Sequence, residues 1–269
     1  MTDLVFEKYE GLGNDFVLIE ADREDAISSS LARTICDRRF GVGGDGVLVV
    51  LPPVSPKAAA RMRVINADGS IPEMCGNGLR CVALHVFRAG EMQGEGELVF
   101  DTDAGTRLCV VDDRNRRGLV TVDMGVVRAT DDVTIDLDGD RWELSLADAG
   151  NPHAITTRLA AREIIDIVGP RLATHPLFPN GTNVEFASFR KGAVDLVVWE
   201  RGCGVTHACG TGACATVAVG VKKGLLARNE EVIVTLPGGP LFITLRNDGH
   251  AIMRGPARHV FSGRLSDIP

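Results

Sequence analysis

Short runs of apolar residues, each bounded by glycine and asparagine turns, recur along the chain and predict a protein rich in β-strands. The first half opens with predicted strands at positions 4–9 and 16–20, on either side of the turn Gly11-Leu12-Gly13-Asn14-Asp15. The same pattern predicts further strands at positions 47–51, 61–66, 97–101, 142–147, 231–236 and 258–265.

Four segments are predicted to be helices instead. After position 75, apolar residues recur at the spacing of one helical face, at Leu79, Val82, Ala83, Val86 and Phe87. The segment 213–223 is apolar nearly all round, which predicts a central, buried helix. Two further helices are expected at positions 24–36 and 160–168.

The two apolar helices begin with the same motif. Cys75-Gly76-Asn77-Gly78 and Cys209-Gly210-Thr211-Gly212 are both C-G-x-G. At the same offset of 134 positions, further residues correspond: Asn66 with Glu200, Gly90 with Gly224, Glu97 with Glu231 and Gly105 with Gly239. We therefore predict an internal duplication that gives an α/β (α+β) fold of two pseudo-symmetric domains, 1–125 and 126–269. Each domain is expected to be a twisted, mostly antiparallel sheet or barrel around a central helix, and the last strand is allowed to cross back to the first domain.

The composition of the chain argues against several classes of function. The chain has 269 residues, 45% of them hydrophobic, and a net charge of -7 without a functional basic patch, which argues against nucleic acid and membrane surfaces as partners. It lacks an 18-residue apolar stretch and a basic, then hydrophobic N-terminal leader, and its seven cysteines are an odd number. We therefore expect reduced thiols in the cytoplasm. Neither metal-ligand spacing nor a nucleotide-binding loop is present, so neither a metal nor a cofactor is predicted.

A cysteine at a helix start has a chemical consequence. The first turn of a helix offers backbone N–H groups without intrahelical partners, and its dipole favours an anion there, whether a substrate carboxylate or a thiolate. Helix N-termini lower the pKa of a cysteine from about 8.5 to about 3.5–7.5. If the duplication brings Cys75 and Cys209 to one pocket, one thiolate removes a proton from a carbon and the other thiol returns one to the opposite face.

The sequence resembles the diaminopimelate epimerases, cofactor-independent amino-acid epimerases. Six blocks carry the resemblance in family order over nearly the whole chain: Gly11-Leu12-Gly13-Asn14-Asp15-Phe16, Asn66-Ala67-Asp68-Gly69-Ser70, Glu73-Met74-Cys75-Gly76-Asn77-Gly78, Gly150-Asn151-Pro152-His153, Phe178-Pro179-Asn180-Gly181-Thr182-Asn183-Val184, and Glu200-Arg201-Gly202 with Ala208-Cys209-Gly210-Thr211-Gly212.

The resemblance implies the interconversion of LL- and meso-diaminopimelate, on the route to lysine and peptidoglycan, by a homodimer. It implies that Cys75 and Cys209 are the catalytic acid and base, with His153 and Glu200 beside the reacting centre. The reacting α-carboxylate is expected at Gly76, Asn77, Gly210 and Thr211. The rest of the substrate is expected at Asn14, Asn66, Asn151, Asn183 and Arg201, with Glu200 also in contact. Asparagine offers a donor and an acceptor without titrating, and arginine can hold a carboxylate with two hydrogen bonds.

Two alternatives remain open at this stage. One is a proline or hydroxyproline racemase of the same superfamily, although such relatives typically carry histidine where Asn77 stands. The other is a redox sensor in which Cys75 and Cys209 form a switchable disulfide. The chain also departs from the family pattern at a few positions, none of which removes a catalytic group: Gly46, Ile71, Pro72, Leu79, Val205 and His207.

Overall fold

A computed structural model describes residues 4–266 and divides them into two compact units. The first unit runs to Val122 and resumes at Gly255, and the second is Asp123–Arg254. The sequence predicted a domain boundary between positions 125 and 126 and left open whether the last strand belongs to the first domain. In the structure that strand, Arg258–Leu265, pairs with the first strand of the chain.

The first unit contains two α-helices, α1 (Ser29–Cys36) and α2 (Gly76–Ala89). Its strands are β1 (Leu4–Gly11), β2 (Asn14–Glu20), β3 (Gly46–Leu51), β4 (Ala60–Asn66), β5 (Glu95–Thr102), β6 (Gly105–Asp112), β7 (Leu119–Val126, which runs past the boundary) and β17 (Arg258–Leu265).

The second unit likewise contains two α-helices, α3 (Arg162–Ala173) and α4 (Gly210–Lys222). Its strands are β8 (Arg128–Leu137), β9 (Asp140–Asp148), β10 (Pro152–Thr156), β11 (Asn183–Arg190), β12 (Ala193–Glu200), the short β13 (Gly204–Val205), β14 (Glu231–Leu236), β15 (Gly239–Leu245) and β16 (His250–Pro256, which runs past the boundary).

The two units repeat one pattern of strand pairing. In the first, β17, β1, β2, β3, β4, β5, β6 and β7 are successive neighbours, and only β2–β3 and β4–β5 are parallel. In the second, β8, β9, β10, β11, β12, β14, β15 and β16 are successive neighbours, and only β10–β11 and β12–β14 are parallel. The predicted class, two duplicated α/β domains with mostly antiparallel sheets, is therefore confirmed.

The sheet of each unit packs around one central helix. Helix α2 contacts β1, β4, β5 and β6, and helix α4 contacts β8, β9, β10, β11 and β15. The residues of α4 are buried through most of its length, as its uniformly apolar sequence predicts. A closely packed glycine lies in the first turn of each helix, where an added Cβ would lie 2.7 Å from Leu48 Cδ2 at Gly78 and 2.8 Å from Glu185 Oε1 at Gly212.

The other helix of each unit covers the opposite face of the sheet. Side chains alternate along a strand, so on β3 Val47, Val49 and Leu51 pack in one core with Ile35 of α1, while Leu48 faces α2. On β11, Val184 and Phe186 pack in one core with the α3 side chains, while Glu185 faces α4. Strands β3 and β11 are therefore buried on both faces.

The outer helices differ from the predicted spans. Within the expected 24–36 helix, residues Glu24–Ala26 form a 3₁₀ turn and α1 begins only after Ser28, because the Ser28 hydroxyl accepts the Leu31 N–H and its backbone is extended. The sequence placed the end of this helix at position 168, but α3 continues past Pro170 to Ala173, because Leu172 and Ala173 are buried against the core of the unit. None of the helices in the stretch 4–266 has the length and apolar character needed to cross a membrane.

Replacing Gly169 by alanine tests how closely α3 packs on its sheet. An added Cβ would lie 2.7 Å from the Trp199 ring, so we expect the variant to lose about 1–3 kcal/mol of unfolding free energy. This loss would occur although alanine is better than glycine inside a helix by about 1 kcal/mol. Chemical denaturation measures the change, and Gly90→Ala, at a helix end with φ of -78°, is the matched control and should stay close to the parent. A Gly169→Ala protein as stable as the Gly90→Ala protein would contradict the packing described here.

Candidate active site

Both C-G-x-G cysteines are N-caps of central helices. Cys75 precedes α2 with φ and ψ of -139° and 106°, and Cys209 precedes α4 with -126° and 106°. Each sulfur accepts the backbone N–H three residues on, at 3.4 Å from Gly78 N and at 3.4 Å from Gly212 N. The sequence motif thus fixes the same thiol position in both units.

The first unit surrounds its helix start with amides. Asn77 Nδ2 donates to Asn14 Oδ1 at 3.2 Å, and Asn14 Nδ2 donates to Asp45 Oδ2 at 2.7 Å. Asn66 lies at the end of β4, where its side chain donates to Ser70 Oγ at 3.0 Å. The structure therefore joins Asn14 and Asn77 directly. The sequence did not single out Asp45, whose carboxylate fixes the amide of Asn14.

The second unit surrounds Cys209 with ionisable groups. Glu200, half-buried at the end of β12, accepts a hydrogen bond from the Thr206 hydroxyl. Burial raises the pKa of the Glu200 carboxyl, and hydrogen bonds from Thr206 and the Cys209 thiol offset part of that effect. The Thr211 hydroxyl lies 3.5 Å from the Cys209 sulfur. Glu200 and Cys209 thus influence each other's pKa.

The expected lowering of the cysteine pKa by the helix start is wrong for Cys209. Burial raises the pKa of this thiol well above its ordinary value, and the nearby carboxyls of Glu200 and Glu185 raise it further. The hydrogen bonds from Thr211 and Gly212 act in the opposite direction but do not prevail. Burial, together with the two carboxyls, therefore raises the pKa of Cys209 although the residue lies at a helix start.

His153 joins a buried chain of three side chains. Its Nδ1 lies 2.6 Å from Glu185 Oε1, and its Nε2 lies 2.8 Å from Asn151 Oδ1. His153 is 1% exposed and Glu185 is 0% exposed. The sequence predicted His153 and Asn151 but missed Glu185. The available signal was a charged residue inside the apolar run of β11, two positions after Asn183 and therefore on the same strand face.

Asn183 and Arg201 are neighbours in the structure. Asn183 Oδ1 accepts the Arg201 backbone N–H at 3.0 Å, and Asn183 Nδ2 donates to the Pro152 carbonyl at 3.0 Å. The Arg201 guanidinium is exposed and donates to the Asn180 carbonyl at 2.9 Å. The amide of Asn183 thus connects the start of β10 to the chain that follows β12, while the charged group of Arg201 faces solvent.

A cavity of about 420 Å³ lies beside β10 in the second unit. Its lining includes Asn151, His153, Thr182, Phe178 and Asp148. The polar chain of Asn151 and His153 therefore borders space that a small molecule can occupy. Over residues 4–266, no cluster of three or more His, Cys, Asp or Glu side chains is arranged to hold a metal ion.

Comparison with known proteins identifies the family. The model of the family described as diaminopimelate epimerase matches residues 6–130 and 145–260. Diaminopimelate epimerase from Synechococcus elongatus is 43% identical over 97% of this chain and 98% of its own length, and that from Desulfitobacterium hafniense is 43% identical over 96% of each. The chain belongs to the diaminopimelate epimerase family.

Solved structures agree on the fold. A hydroxyproline epimerase from Agrobacterium vitis superposes with a TM-score of 0.77 over 99% of this chain and 93% of that one, at 16% identity. A PhzF-family phenazine biosynthesis protein from Bacillus anthracis gives a TM-score of 0.73 over 99% and 100%, again at 16% identity. At this identity the likeness establishes the shared architecture alone.

Removing the charge of Glu200 tests its influence on Cys209. In Glu200→Gln the side chain keeps its size but no longer opposes the thiolate, so the pKa of Cys209 should fall. Alkylation by iodoacetamide, followed for each cysteine by mass spectrometry, should then reach its half-maximal rate at a lower pH for Cys209. The exposed Cys203 is an internal reference, and Glu143→Gln, at an exposed position of β9, is the matched control. An unchanged Cys209 profile would contradict the assigned influence of Glu200.

Proposed function

We propose that this protein interconverts LL- and meso-diaminopimelate by removing and returning the proton at one α-carbon. Membership of the diaminopimelate epimerase family is the observation that carries this proposal. The duplicated cysteine helix starts support it, because inversion at carbon requires an acid and a base on opposite faces. The proposed substrate is the one that the names of the relatives give. The proposed two-thiol mechanism rests on the chemistry of the cysteines at the two helix starts.

In the proposed reaction Cys75 and Cys209 serve opposite faces of the α-carbon. One thiolate takes the α-proton, and the electron pair of the broken C–H bond stays on carbon. The other thiol gives its proton to that pair from the opposite side, so the carbon is inverted and one thiol and one thiolate remain. The roles exchange in the reverse direction. The raised pKa of Cys209 makes it the proton donor in the direction that starts from its thiol form.

The helix starts supply the electrostatic stabilisation. The N–H groups of Gly78 and Gly212 donate to sulfur. The other backbone N–H groups of these two first turns belong to Gly76, Asn77, Gly210 and Thr211. We propose that these groups hold the reacting carboxylate and stabilise the negative charge that develops beside it. No resident cofactor is part of this proposal.

The remaining predicted residues divide the other tasks. We propose that Glu200 exchanges a proton with Cys209, whose pKa it raises, and accepts from the reacting ammonium. Asn14, Asn66, Asn151 and Arg201 are proposed to bind the rest of the substrate, with Asn183 and His153 holding that set in place. The family resemblance further suggests a cytoplasmic homodimer, which we retain as a proposal.

The first test is proton NMR of LL-diaminopimelate with reduced enzyme in D2O. We expect the α-proton signal to disappear and the meso isomer to form, because each returned proton comes from a thiol that has exchanged with solvent. L-proline and trans-4-hydroxyproline in parallel samples should stay unchanged. Exchange of a cyclic amino acid instead would keep the thiol chemistry and refute the substrate, and no exchange of any of the three would refute the proposed reaction.

The two single variants, Cys75→Ala and Cys209→Ala, test the division of labour between the thiols. Each should lose epimerisation by about 10²–10⁴-fold, since each removes one of the two proton-transfer groups. Each should still exchange the α-proton of one stereoisomer without inverting it, and the two variants should act on opposite isomers. NMR with separate LL and meso samples measures this, and Cys203→Ala is the control. Inversion at the parental rate by either active-site variant would rule out the two-thiol mechanism.

A further inference from the structure

The duplication allows the second unit to be compared with the first, residue by residue. Phe16 of β2 pairs with Gly46 of β3, and His153 of β10 pairs with Asn183 of β11 in the same parallel register. Two positions further along the second strand of each pair lie Leu48 and Glu185. Both face the glycine of the central helix start, as the close approaches to Gly78 and Gly212 show.

The first unit therefore builds an apolar pair where the second builds a charged one. Phe16 and Leu48 are 2% and 0% exposed, and His153 and Glu185 are 1% and 0% exposed. The same strand pairing thus accommodates two hydrocarbon side chains, so the fold does not require a carboxyl or an imidazole at these positions. Burying a carboxyl costs free energy, and buried ion pairs are often no better for stability than well-packed apolar residues. A reason other than stability is needed for Glu185.

The hydrogen bonds around His153 indicate that reason. Asn151 Oδ1 can only accept, so the Nε2 atom at 2.8 Å from it carries a proton. The contact of 2.6 Å between Nδ1 and Glu185 Oε1 then holds a second proton, on the ring or on the carboxyl. With one proton fewer, a neutral ring that donates from Nδ1 to the carboxylate would have Nε2 as an acceptor. The amide of Asn151 would then have to turn round so that its NH2 group faced Nε2.

The orientation of Asn151 decides what it offers a ligand. With Oδ1 directed at His153, its Nδ2 donors have no acceptor among the described residues, and Asn151 lines the cavity beside β10. In the opposite orientation the residue would present an acceptor there. A carboxylate needs the first arrangement and an ammonium group needs the second.

We propose that Glu185 is a positioning residue that, through His153, fixes the amide of Asn151 with its NH2 group toward a substrate carboxylate. This inference rests on the proposed function for the identity of the ligand and on the contacts within the second unit for the orientation. Oε1 of Glu185 makes the contact with His153, while Oε2 is buried without a hydrogen-bond partner. The carboxyl also raises the pKa of Cys209, and the charge-neutral Glu185→Gln variant separates that effect from the positioning of His153.

The orientation is tested by the ring nitrogens of His153 in protein labelled with ¹⁵N-histidine. We expect Nε2 of wild-type His153 to be protonated, with its proton protected from solvent exchange. The chain has six histidines, and the double variant His153→Phe with Glu185→Leu identifies the His153 signals by their loss. That variant copies the Phe16 and Leu48 pair of the first unit, so it should fold as well as the parent by circular dichroism. An unprotonated wild-type Nε2 would overturn the proposal.

Kinetics of epimerisation test the consequence. Glu185→Leu should raise KM for diaminopimelate about tenfold or more, the effect expected for one poorly held donor to a charged group. A change in kcat that Glu185→Leu shares with Glu185→Gln is assigned to the lost carboxyl beside Cys209. In Glu185→Leu, His153 should show both ring tautomers. Glu185→Gln should restore KM and a protonated Nε2, because the amide NH2 can donate to Nδ1. Glu143→Gln, exposed on β9, is the matched control.

The outcomes separate the two proposals. A wild-type KM together with a single, Nε2-protonated tautomer in Glu185→Leu would overturn the positioning role, as would a Glu185→Gln protein as impaired as Glu185→Leu. If the wild-type protein does not act on diaminopimelate, the proposed function fails and takes the substrate-carboxylate part of this proposal with it. The labelled-histidine measurement still decides then whether Glu185 fixes His153 and Asn151.

Discussion

Each unit depends on how its central helix begins. The cysteine before α2 or α4 accepts an N–H bond from the glycine three residues on, and that glycine packs against a strand so closely that a Cβ would lie within 2.8 Å of the nearest atom. The same contact fixes the thiol and sets the distance between helix and sheet. Packing and chemistry therefore share one constraint, which explains why the motif occurs in both halves of the chain.

The duplication also separates what the fold needs from what the chemistry needs. The first unit places Phe16, Leu48 and Asn66 around its helix start, and the second places His153, Glu185 and Glu200 at the corresponding positions. Since both sets are accommodated by the same strand pairings, the ionisable groups are additions to a scaffold that is stable without them. Burying these ionisable groups costs free energy, and they lie beside Cys209, where the carboxyls raise the pKa of the thiol.

Much of this arrangement could be predicted from the sequence because it is encoded locally. Strand β14, the last strand and both central helices follow from periodicity and glycine turns, and the two N-cap cysteines follow from the repeated motif. Glu185 could not be identified in this way, because a single acidic residue in a strand usually marks a solvent-facing side. Only the cover of β11 by α3 on one face and α4 on the other makes that position buried. The start of α1 is different, because the N-cap at Ser28 is a local signal that the sequence does contain.

The error about Cys209 has the same origin and a mechanistic consequence. A helix dipole belongs to the residues next to the cysteine and can be inferred from sequence, whereas Glu185 and Glu200 come from strands β11 and β12 and reach the sulfur only through the tertiary fold. Their positions in the first unit are held by Leu48 and Asn66, which carry no charge. The proposed two-thiol inversion must start with one sulfur protonated and the other not. Two symmetrical helix starts provide no such difference, whereas burial and the two carboxyls of the second unit raise the pKa of Cys209.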